Sequence, residues 1–492
     1  MGANSSSPTP LTLKVIHDYF AECSDIKSEN YEFGSAERTF QITLIYCSGL
    51  TDMKQLNQAV VPALHRMLQE ASSVSQAVSR NRLIPLLPLP PGAGLIEMER
   101  KLFAGELLVY VHGDNEVYFI DICERPERQP EESNTEVSIK GPKDGFTENL
   151  ATNVALVRKR LRTQSVNYET FIIGRRSQTE VGLLYMQDVI RPHLVDTVRK
   201  QLYSIDTDII VGSSQLGELM LNSNYSMFPL MDYIGRPDYV VESLSRGRFV
   251  ILVDGSPMAL IGPSSLWLLL KSPEDIHFPV FFVVLQRIIR LSGLIISLFT
   301  PGFWLALTAY NVEQLPFPLL ATVSNTRTGL PLSATMELLF MLGMFELFRE
   351  AGIRLPKAVG QTLAVVGGLI VGDASIRAGL ASPTTLVVAA VTAVATFTLI
   401  NQSLSGTVSV LRLGVLLASS LLGMFGFFLA VMTILLYLSS IMSYGIPYLA
   451  PVSPPQWRDM WKALLRVPLN MDKYRPSYLT REQDNTRKGD DS

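Results

Sequence analysis

Cysteine and histidine are scarce in this chain of 492 residues. The three cysteines, Cys23, Cys47 and Cys123, are far apart, and the five histidines stand alone in unrelated segments. Three widely spaced cysteines fit neither a disulfide framework nor a zinc site. We therefore predict no metal, no cofactor and a reducing compartment for the N-terminal part.

The sequence also lacks a charge excess and a catalytic set. Its formal net charge of −3 gives no reason to expect a nucleic-acid partner. The segment GPKDGFT (141–147) has the glycines of a phosphate loop but not the Lys-Ser/Thr pair that would contact phosphate and Mg²⁺. Since no acid, base and nucleophile group together, we predict that the chain is not an enzyme.

Charged residues are rare between Phe278 and Ala450. These 173 residues contain 8 Lys or Arg and 5 Asp or Glu, whereas the remaining 319 residues hold 74 charges. The distribution predicts a soluble N-terminal region, a membrane domain and a polar tail.

The predicted fold class is α+β for a soluble region of two small subdomains, followed by an α-helical transmembrane bundle of four to five helices. The predicted segments are a disordered start (1–10), subdomain 1 (11–123), a linker (124–140), subdomain 2 (141–270), a transmembrane domain (278–450) and a tail (451–492).

Hydrophobic periodicity predicts the elements of the two subdomains. In the first, residues 38–50 read as a strand, 51–71 as a helix and 105–123 as a β-hairpin around Gly113-Asp114-Asn115. In the second, we predict helices over 146–163 and 193–205, strands over 168–174 and 180–186, and a hairpin over 248–261. The basic run Arg158, Lys159, Arg160 and Arg162 predicts either a solvated helix face or a contact with anionic lipid.

Five apolar segments of the C-terminal half are near the ~20 residues that a bilayer requires. Residues 278–290 are expected to lie at the interface and to lead into the first span, which Pro301-Gly302 should kink. The predicted spans are 291–310, 330–348, 357–376, 384–400 and 413–440.

The number of spans stays open at this point. Five spans would place the tail outside, yet its basic residues favour the cytoplasm. If one segment is re-entrant, four spans place both termini inside, which is the arrangement we favour.

The segment 360–379 combines a membrane-like composition with many small residues. On a helix, one face carries Gly360, Ala364, Gly367, Val371, Ala374 and Ala378, and the adjacent face carries Gln361, Val365, Gly368, Gly372, Ser375 and Gly379. Such a surface predicts either close helix packing or the lining of a narrow conduit that valines could close by dewetting. The predicted pore-lining or gating residues are Gln361, Ala364, Val365, Gly368, Val371, Gly372 and Ser375.

Four charged residues fall within the predicted spans. Asp373 and Arg377 are four residues apart, which favours an ion pair on one helix. Glu337 and Glu346 lie in an apolar run, so each requires a partner, water or a proton. Arg349 and Arg354 are the expected partners.

Several longer segments resemble the A-subunit family of nutrient germinant receptors of bacterial endospores, the GerA family. They are distributed over about two thirds of the chain, from 141 to 476. The chain departs from the family pattern at Gly235, Ile276 and Asp373. The matching segments are GPKDGFTENLATNVALVRKRLR (141–162), GRPDYVVESLSRGRFVILVDGSPMALIGP (235–263), ELFREAGIRLPKAVGQTLAVVGGLIVGDASIRAGLASP (346–383), NQSLSGTVSVLR (401–412), YGIPYLAPVSP (444–454) and RVPLNMDKYRP (466–476).

The resemblance implies a subunit of a three-component receptor in the spore inner membrane, with its N-terminal domain on the spore-core side. Its implied partners are a transporter-like B subunit that binds nutrient, a lipoprotein C subunit, membrane lipid and further copies of itself. It implies a pentameric, nutrient-gated cation channel whose conduit involves the span from Lys357 to Ala378. The alternatives are a non-conducting scaffold, a related spore membrane protein that accompanies dipicolinate release, and a transporter, which the lack of two matching halves disfavours.

Overall fold

The computed structural model describes residues 12–35, 38–69, 84–89, 94–112, 116–123, 138–221, 226–354, 372–468, 472 and 474–480. The chain divides into two compact units. The N-terminal unit comprises Met1–Asn224, Met231–Pro263 and Asp472–Ser492, and the helical unit comprises Tyr225–Leu230 and Ser264–Met471.

The first subdomain of the N-terminal unit is built on a five-stranded antiparallel sheet with the order β1-β2-β4-β5-β3. Hydrophobic side chains fill a core on each face. The strands are β1 (Ile26–Ser35), β2 (Arg38–Cys47), β3 (Leu87–Pro88), β4 (Glu106–Val111) and β5 (Glu116–Asp121). The helices are α1 (Leu13–Tyr19), α2 (Met53–Gln55), which continues through a π-helical turn (Leu56–Val60) into α3 (Val61–Gln69), and α4 (Leu95–Leu102).

The second subdomain repeats this architecture with an antiparallel sheet of order β6-β7-β9-β10-β8. Strands β9 and β10 are buried along their whole length. The strands are β6 (Val166–Ile173), β7 (Thr179–Met186), β8 (Asp232–Ile234), β9 (Phe249–Val253) and β10 (Ala259–Gly262). The helices are α5 (Leu150–Arg160), α6 (Pro192–Ser204), α7 (Ser213–Met220) and α8 (Pro237–Ser245).

The predicted α+β character of this unit, with two small subdomains, is confirmed. Both predicted hairpins form, as β4–β5 and β9–β10. Strand β1 was not predicted, because its apolar alternation is limited to Tyr31 and Phe33 and charged residues interrupt it. That composition is typical of an edge strand, which is the place β1 occupies. The residues of the predicted start (1–10) and most of the predicted linker lie outside the described residues.

A short piece of the predicted tail belongs to the N-terminal unit. Residues 474–480 lie against the second subdomain, where Leu479 is buried and Thr480 forms a β-bridge with Ile190. Arg191 donates to the carbonyl oxygens of Ser477 and Thr480 at 2.6 and 3.1 Å. The chain therefore returns to its N-terminal unit after the helical unit.

The helical unit begins with a short helix and continues with longer apolar ones. Its helices are α9 (Leu266–Leu269), α10 (Val280–Ala309), α11 (Phe317–Arg327), α12 (Ala334–Arg354), α13 (Pro383–Phe397), α14 (Gln402–Ser440) and α15 (Trp457–Leu464), with 3₁₀ turns at Pro273–Ile276 and Val312–Gln314. A two-stranded ribbon joins β11 (Met442–Ser443) to β12 (Ile446–Pro447). Residues 372–377 are also helical.

Local signals set the helix boundaries. Ser382 caps α13, which begins at Pro383, and Asn401 caps α14, since each side chain accepts a backbone N–H of the first turn. Residues 280–290 lead directly into the predicted first span, because α10 is one helix that continues through Pro301. The interfacial position of 278–290 and the kink at Pro301 stay predictions.

The last predicted span, 413–440, is also wrong as a single helix. Gly423 has φ 61° and ψ −138°, which interrupts α14. Thr407 Oγ1 donates to the Met227 carbonyl oxygen at 2.6 Å, and the Met227 N–H donates to Tyr437 Oη at 3.0 Å. Residues 407 and 437 would be about 45 Å apart on a straight helix. The two arms, 402–422 and 424–440, therefore fold back on each other at Gly423, and we call this pair the α14 hairpin.

By length and apolar composition, two segments in the described part of the chain could cross a membrane: α10 and, counted as one segment of 39 residues, α14. Helix α13 is apolar but has only 15 residues. The transmembrane bundle of four to five helices stays a prediction.

Candidate functional site

The two sheets of the N-terminal unit meet at a buried ion pair. Arg158 of α5 donates from Nε to Asp25 Oδ2 at 2.8 Å and from Nη2 to Asp25 Oδ1 at 3.0 Å. Its third nitrogen, Nη1, donates to the Thr163 carbonyl oxygen, and the guanidinium lies 4.3 Å from the ring centre of Phe103. Both charged side chains are at most 2% exposed. Burial alone would lower the pKa of Arg158, but the Asp25 carboxylate raises it above the usual value.

The basic run 158–162 was predicted to form a solvated helix face or to contact anionic lipid. Neither prediction holds for Arg158, which is buried. Arg160 pairs with Asp144 instead, in a half-buried contact of 2.5 Å. Asp25 precedes Arg158 by 133 residues, so periodicity along one helix could not reveal the pairing. The sequence does offer one signal, since Arg158 falls among the apolar positions of α5.

Two of the three cysteines lie at the same junction. The Cys47 thiol contacts Asp25 Oδ2 at 3.5 Å, and both Cys23 and Cys47 are buried free thiols. Burial raises the pKa of Cys47 well above its usual value, and the Asp25 carboxylate adds to the effect. Burial also raises the pKa of Cys23. Because the thiolate is the reactive form, these side chains report on opening of the junction.

In the helical unit, the predicted carboxylate Glu346 lies in a cluster of charges and hydroxyls. It pairs with Arg349, as expected, and Arg412 Nη2 of α14 lies 3.3 Å from Glu346 Oε2. Arg412 is 5% exposed and also donates to Thr396 Oγ1 at 3.1 Å. Arg349 donates to the hydroxyls of Ser405 and Ser409 at 3.2 and 3.0 Å. Two cations share the Glu346 carboxylate, so the cluster ties α12, α13 and α14 together.

The second predicted carboxylate, Glu337, is fully buried at the start of α12. Its Oε1 accepts the backbone N–H of Ser382, the cap residue of α13. Its Oε2 has no hydrogen bond and lies 3.9 Å from Arg327 Nε. Of the two predicted partners, Arg349 pairs with Glu346, and the side chain of Arg354 lies outside the described residues. A carboxylate at the positive end of a helix is favourable, so Glu337 fixes the turn that enters α13.

Substitution of Glu337 separates its capping role from its charge. The amide oxygen of Glu337→Gln can still accept the Ser382 N–H, so we expect nearly unchanged stability. Glu337→Leu leaves that buried donor unpaired, which costs about 1–3 kcal/mol. Thermal unfolding of the full chain in detergent measures both. Equal loss of stability in the two variants would show that the charge, not the cap, matters.

Two of the seven predicted pore residues can be placed. Gly372 and Ser375 are both buried within a single chain. A Cβ at Gly372 would lie 3.4 Å from Leu386 of α13, and the Ser375 carbonyl oxygen accepts the N–H of Leu380 where the helix ends. The other five, Gln361, Ala364, Val365, Gly368 and Val371, lie outside the described residues. For all seven, the pore assignment stays a prediction.

The predicted pair Asp373–Arg377 forms, with 2.8 Å between Oδ2 and Nη2. Both side chains are exposed, at 57% and 79%, and Ala374 and Ala378 are exposed beside them. Gly379 follows with φ +68°, which allows the chain to leave the helix and enter α13. This helix end therefore presents a surface of small and charged residues.

Within the described residues, no three His, Cys, Asp or Glu side chains gather closely enough to hold a metal ion. Arg412 and Arg327 are the partners that sequence reasoning missed. Arg412 stands at the edge of an apolar run, which was the available signal, whereas Arg327 lies in a polar segment and gives none.

Comparison with known proteins identifies the family. Residues 14–478 match the family described as "Bacillus/Clostridium GerA spore germination protein". The chain is 42% identical over 474 residues to "Spore germination protein XA" of Bacillus anthracis, covering 96% of each protein. It is 33% identical over 469 residues to "Spore germination protein GerLA" of Bacillus cereus, covering 95% of this chain and 94% of that protein.

Among solved structures, the crystal structure of the N-terminal domain of the A subunit of the Bacillus megaterium spore germinant receptor GerK3 aligns with this chain. The identity is 25% and the TM-score 0.40, and the alignment covers 52% of this chain and 96% of that domain. The sequence match over nearly the whole chain decides the assignment: the protein belongs to the GerA family of spore germination proteins.

Proposed function

We propose that this chain is a membrane subunit of a nutrient germinant receptor in bacterial spores, located in the spore inner membrane. Family membership supports this role, since two relatives that match nearly the whole chain are named as spore germination proteins. The partners proposed from the family are a transporter-like B subunit and a lipoprotein C subunit. The role is that of a receptor component rather than an enzyme.

The exposed surface of the helical unit supports the membrane location. Large apolar side chains are exposed on α10, α13 and the α14 hairpin, among them Phe281, Val394, Leu421, Phe425 and Leu436, all at least 63% exposed. Less than a third of the most apolar window of α10 or α14 is buried, unlike the core helix of a water-soluble domain. A contiguous apolar surface of this extent is typical of contact with lipid.

The returning tail supports an even number of membrane crossings. The N-terminal unit contains both the residues before Pro263 and residues 474–480, so these two parts of the chain belong on the same side of the membrane in our proposal. The α14 hairpin supplies an additional crossing relative to the five predicted spans. With an even number of crossings, the basic tail lies on the same side of the membrane as the N-terminal unit, which is the spore-core side in our proposal.

We further propose that several copies, a pentamer in the family pattern, surround a cation conduit that opens when nutrient binds. The single observation that carries this proposal is a contrast between two exposed surfaces. Helices α10, α13 and α14 expose large apolar side chains, whereas the helix end 372–378 exposes Asp373, Ala374, Arg377 and Ala378. Small and charged residues suit water or another subunit better than lipid.

The exposure of residues 372–378 also distinguishes the two faces predicted for the segment 360–379. On the helix that the sequence predicts for 360–379, Val371 would share a face with the exposed Ala374 and Ala378, whereas Val365 would share a face with the buried Gly372 and Ser375. A conduit-lining role therefore suits Val371, with Ala364, better than Val365.

This difference gives a matched test. Val371→Ala should raise the unstimulated cation flux of reconstituted liposomes roughly ten-fold or more, because the loss of two methyl groups from even one copy removes about 1.6 kcal/mol of apolar closure at about 0.8 kcal/mol each. Val365→Ala, the same truncation on the other face, should leave the flux unchanged. An ion-sensitive dye inside the liposomes measures both. The channel proposal fails if neither variant changes the flux.

A non-conducting scaffold is the second candidate. The burial of Gly372 and Ser375 favours it, because small residues there allow close packing on α13. Under this alternative Val371→Ala has no effect on flux, and a bulky change such as Ser375→Phe abolishes co-purification of the B and C subunits. A role beside the dipicolinate-release machinery would give co-purification with different partners.

A further inference from the structure

A partly open cavity of about 210 Å³ lies in the helical unit, where α9, the N-terminal half of α10 and α15 meet. Apolar side chains form most of its lining, including Leu270, Ile288, Leu291 and Leu464. Trp267 is fixed in the wall, since its indole N–H donates to the Leu449 carbonyl oxygen at 3.1 Å. Lys271 and Arg287 are the two cations among the lining residues. We call this cavity the α15 groove.

The groove lies at the depth where lipid headgroups meet acyl chains. The 20 residues from Leu291 to Tyr310 span about 30 Å as a helix, which is the thickness of a bilayer core. Arg287 and Arg290 come just before that stretch, so their guanidinium groups fall at the headgroup level. Ile288 and Leu291, which line the groove, mark the boundary of the acyl region.

Helix α15 has the character of an interfacial helix. Trp457 and Trp461 are 70% and 58% exposed, and Arg458 and Lys462 lie on the same helix. Amphipathic helices with exposed tryptophan and basic residues lie at membrane surfaces. Trp461 also lines the groove, so the groove opens toward the interface.

The charge around the groove is positive. Residues 266–291 and 456–466 contain six basic and three acidic side chains. The acids, Glu274, Asp275 and Asp459, are at most 8% exposed. Asp275 is shared by Arg287 at 3.0 Å and Arg290 at 2.9 Å, so one carboxylate faces two guanidinium groups. An anionic group near Arg287 would balance that excess.

The volume of the α15 groove favours an acyl chain rather than a folded protein segment as the occupant. A volume of 210 Å³ equals about seven water molecules at ~30 Å³ each, and a methylene group has a similar size. The groove thus accepts a short length of hydrocarbon but not a helix. Its wall is continuous with the exposed apolar face of α10 at Leu285 and Ile289, both about half exposed.

We propose that the α15 groove binds an anionic phospholipid of the bilayer, with one acyl chain between α10 and α15 and its phosphate beside Lys271 and Arg287. This assignment rests on the proposed membrane location. The lipid would brace α15, and with it the segment that leads to the tail, against the first membrane helix.

Quenching of tryptophan fluorescence by brominated lipid tests the assignment in the full-length protein. The chain has four tryptophans, so replacing three by phenylalanine gives one variant that retains Trp461 and one that retains Trp304. Each is reconstituted in phosphatidylcholine that contains a minority of brominated phosphatidylglycerol or of brominated phosphatidylcholine. We expect stronger quenching of Trp461 by the phosphatidylglycerol and equal quenching of Trp304 by both.

Two substitutions and a control locate the effect. Lys271→Gln should lower the preference for phosphatidylglycerol about five-fold, the upper value for one solvent-accessible ion pair, because the variant loses the contact between the ammonium group and the bound phosphate. Ala463→Phe should fill the groove and abolish the preference. Arg458→Gln removes the same charge from α15 at a position outside the groove, and it should keep the preference. Native mass spectrometry of the variants with all four tryptophans gives a second count of retained phosphatidylglycerol.

The outcomes distinguish this assignment from the proposed function. If Trp304 is quenched but Trp461 is quenched equally by the two brominated lipids, the proposed lipid site is refuted and the proposed membrane location stands. If Arg458→Gln weakens the preference as much as Lys271→Gln, the attraction is general surface electrostatics and the site is wrong. If Trp304 is not quenched at all, the membrane location fails and the lipid site fails with it.

Discussion

Replacing Arg158 with methionine is expected to destabilise the N-terminal unit by about 3–5 kcal/mol, because Asp25 would remain buried without its partner. Cys23 and Cys47 lie at the junction and provide the readout. In a Cys123→Ser background, their alkylation rate in the full-length protein should rise by about two to three orders of magnitude, since labelling requires the junction to open. Mass spectrometry of the labelled peptides measures the rates.

Two further variants make this result specific. Arg160→Met removes a half-buried pair two residues away and should cost less than about 1 kcal/mol. In the double variant Asp25→Leu/Arg158→Met no charge is left unpaired, so most of the stability should return. If Arg158→Met labels no faster than Arg160→Met, the buried pair does not hold the two sheets together.

Replacing Gly426 with alanine is expected to force apart the α14 hairpin. A Cβ at Gly426 would overlap the carbonyl oxygen of Ala418 on the other arm, and backbone atoms cannot rotate away. We expect a loss of at least about 3 kcal/mol, the upper part of the range for overpacked positions. Thermal unfolding of the full-length protein in detergent gives the size of the effect.

Gly414→Ala is the matched control, because it makes the same change in the same element where no atom lies within 4 Å of the added Cβ. It should leave stability unchanged or raise it by up to about 1 kcal/mol. Cysteines at Thr407 and Tyr437 can also be cross-linked if the arms are adjacent. Failure to cross-link in the otherwise unchanged protein would refute the hairpin itself.

Regular local patterns made much of the N-terminal unit predictable. The β4–β5 and β9–β10 hairpins have apolar runs on both sides of a polar turn, and the signal is contained within fewer than twenty residues. Strand β1 has no such signal, because an edge strand exposes its charged residues and depends on β2 for pairing. Its existence is fixed by tertiary contact rather than by its own composition.

In the candidate site, too, contacts between residues close in sequence were predictable, and contacts between distant residues were not. The pairs Glu346–Arg349 and Asp373–Arg377 follow from spacings of three and four residues on one helix. Arg412 and Asp25 act across 66 and 133 residues, and no spacing rule reaches so far. The reversal at Gly423 was hidden because both arms are equally apolar, so hydropathy remains uniform where the chain direction changes.

The docked tail has a consequence for how the protein is made. Gly247, with φ +84°, accommodates the Leu479 carbonyl oxygen, which would lie 3.1 Å from any Cβ there. Arg475 donates to the Ser245 carbonyl oxygen at 2.7 Å. The residues that seal this surface leave the ribosome after every apolar helix has been synthesised. A nascent chain therefore leaves this surface of the second subdomain uncovered until residues 474–480 have been synthesised, and a product that terminates before them exposes the surface to proteases.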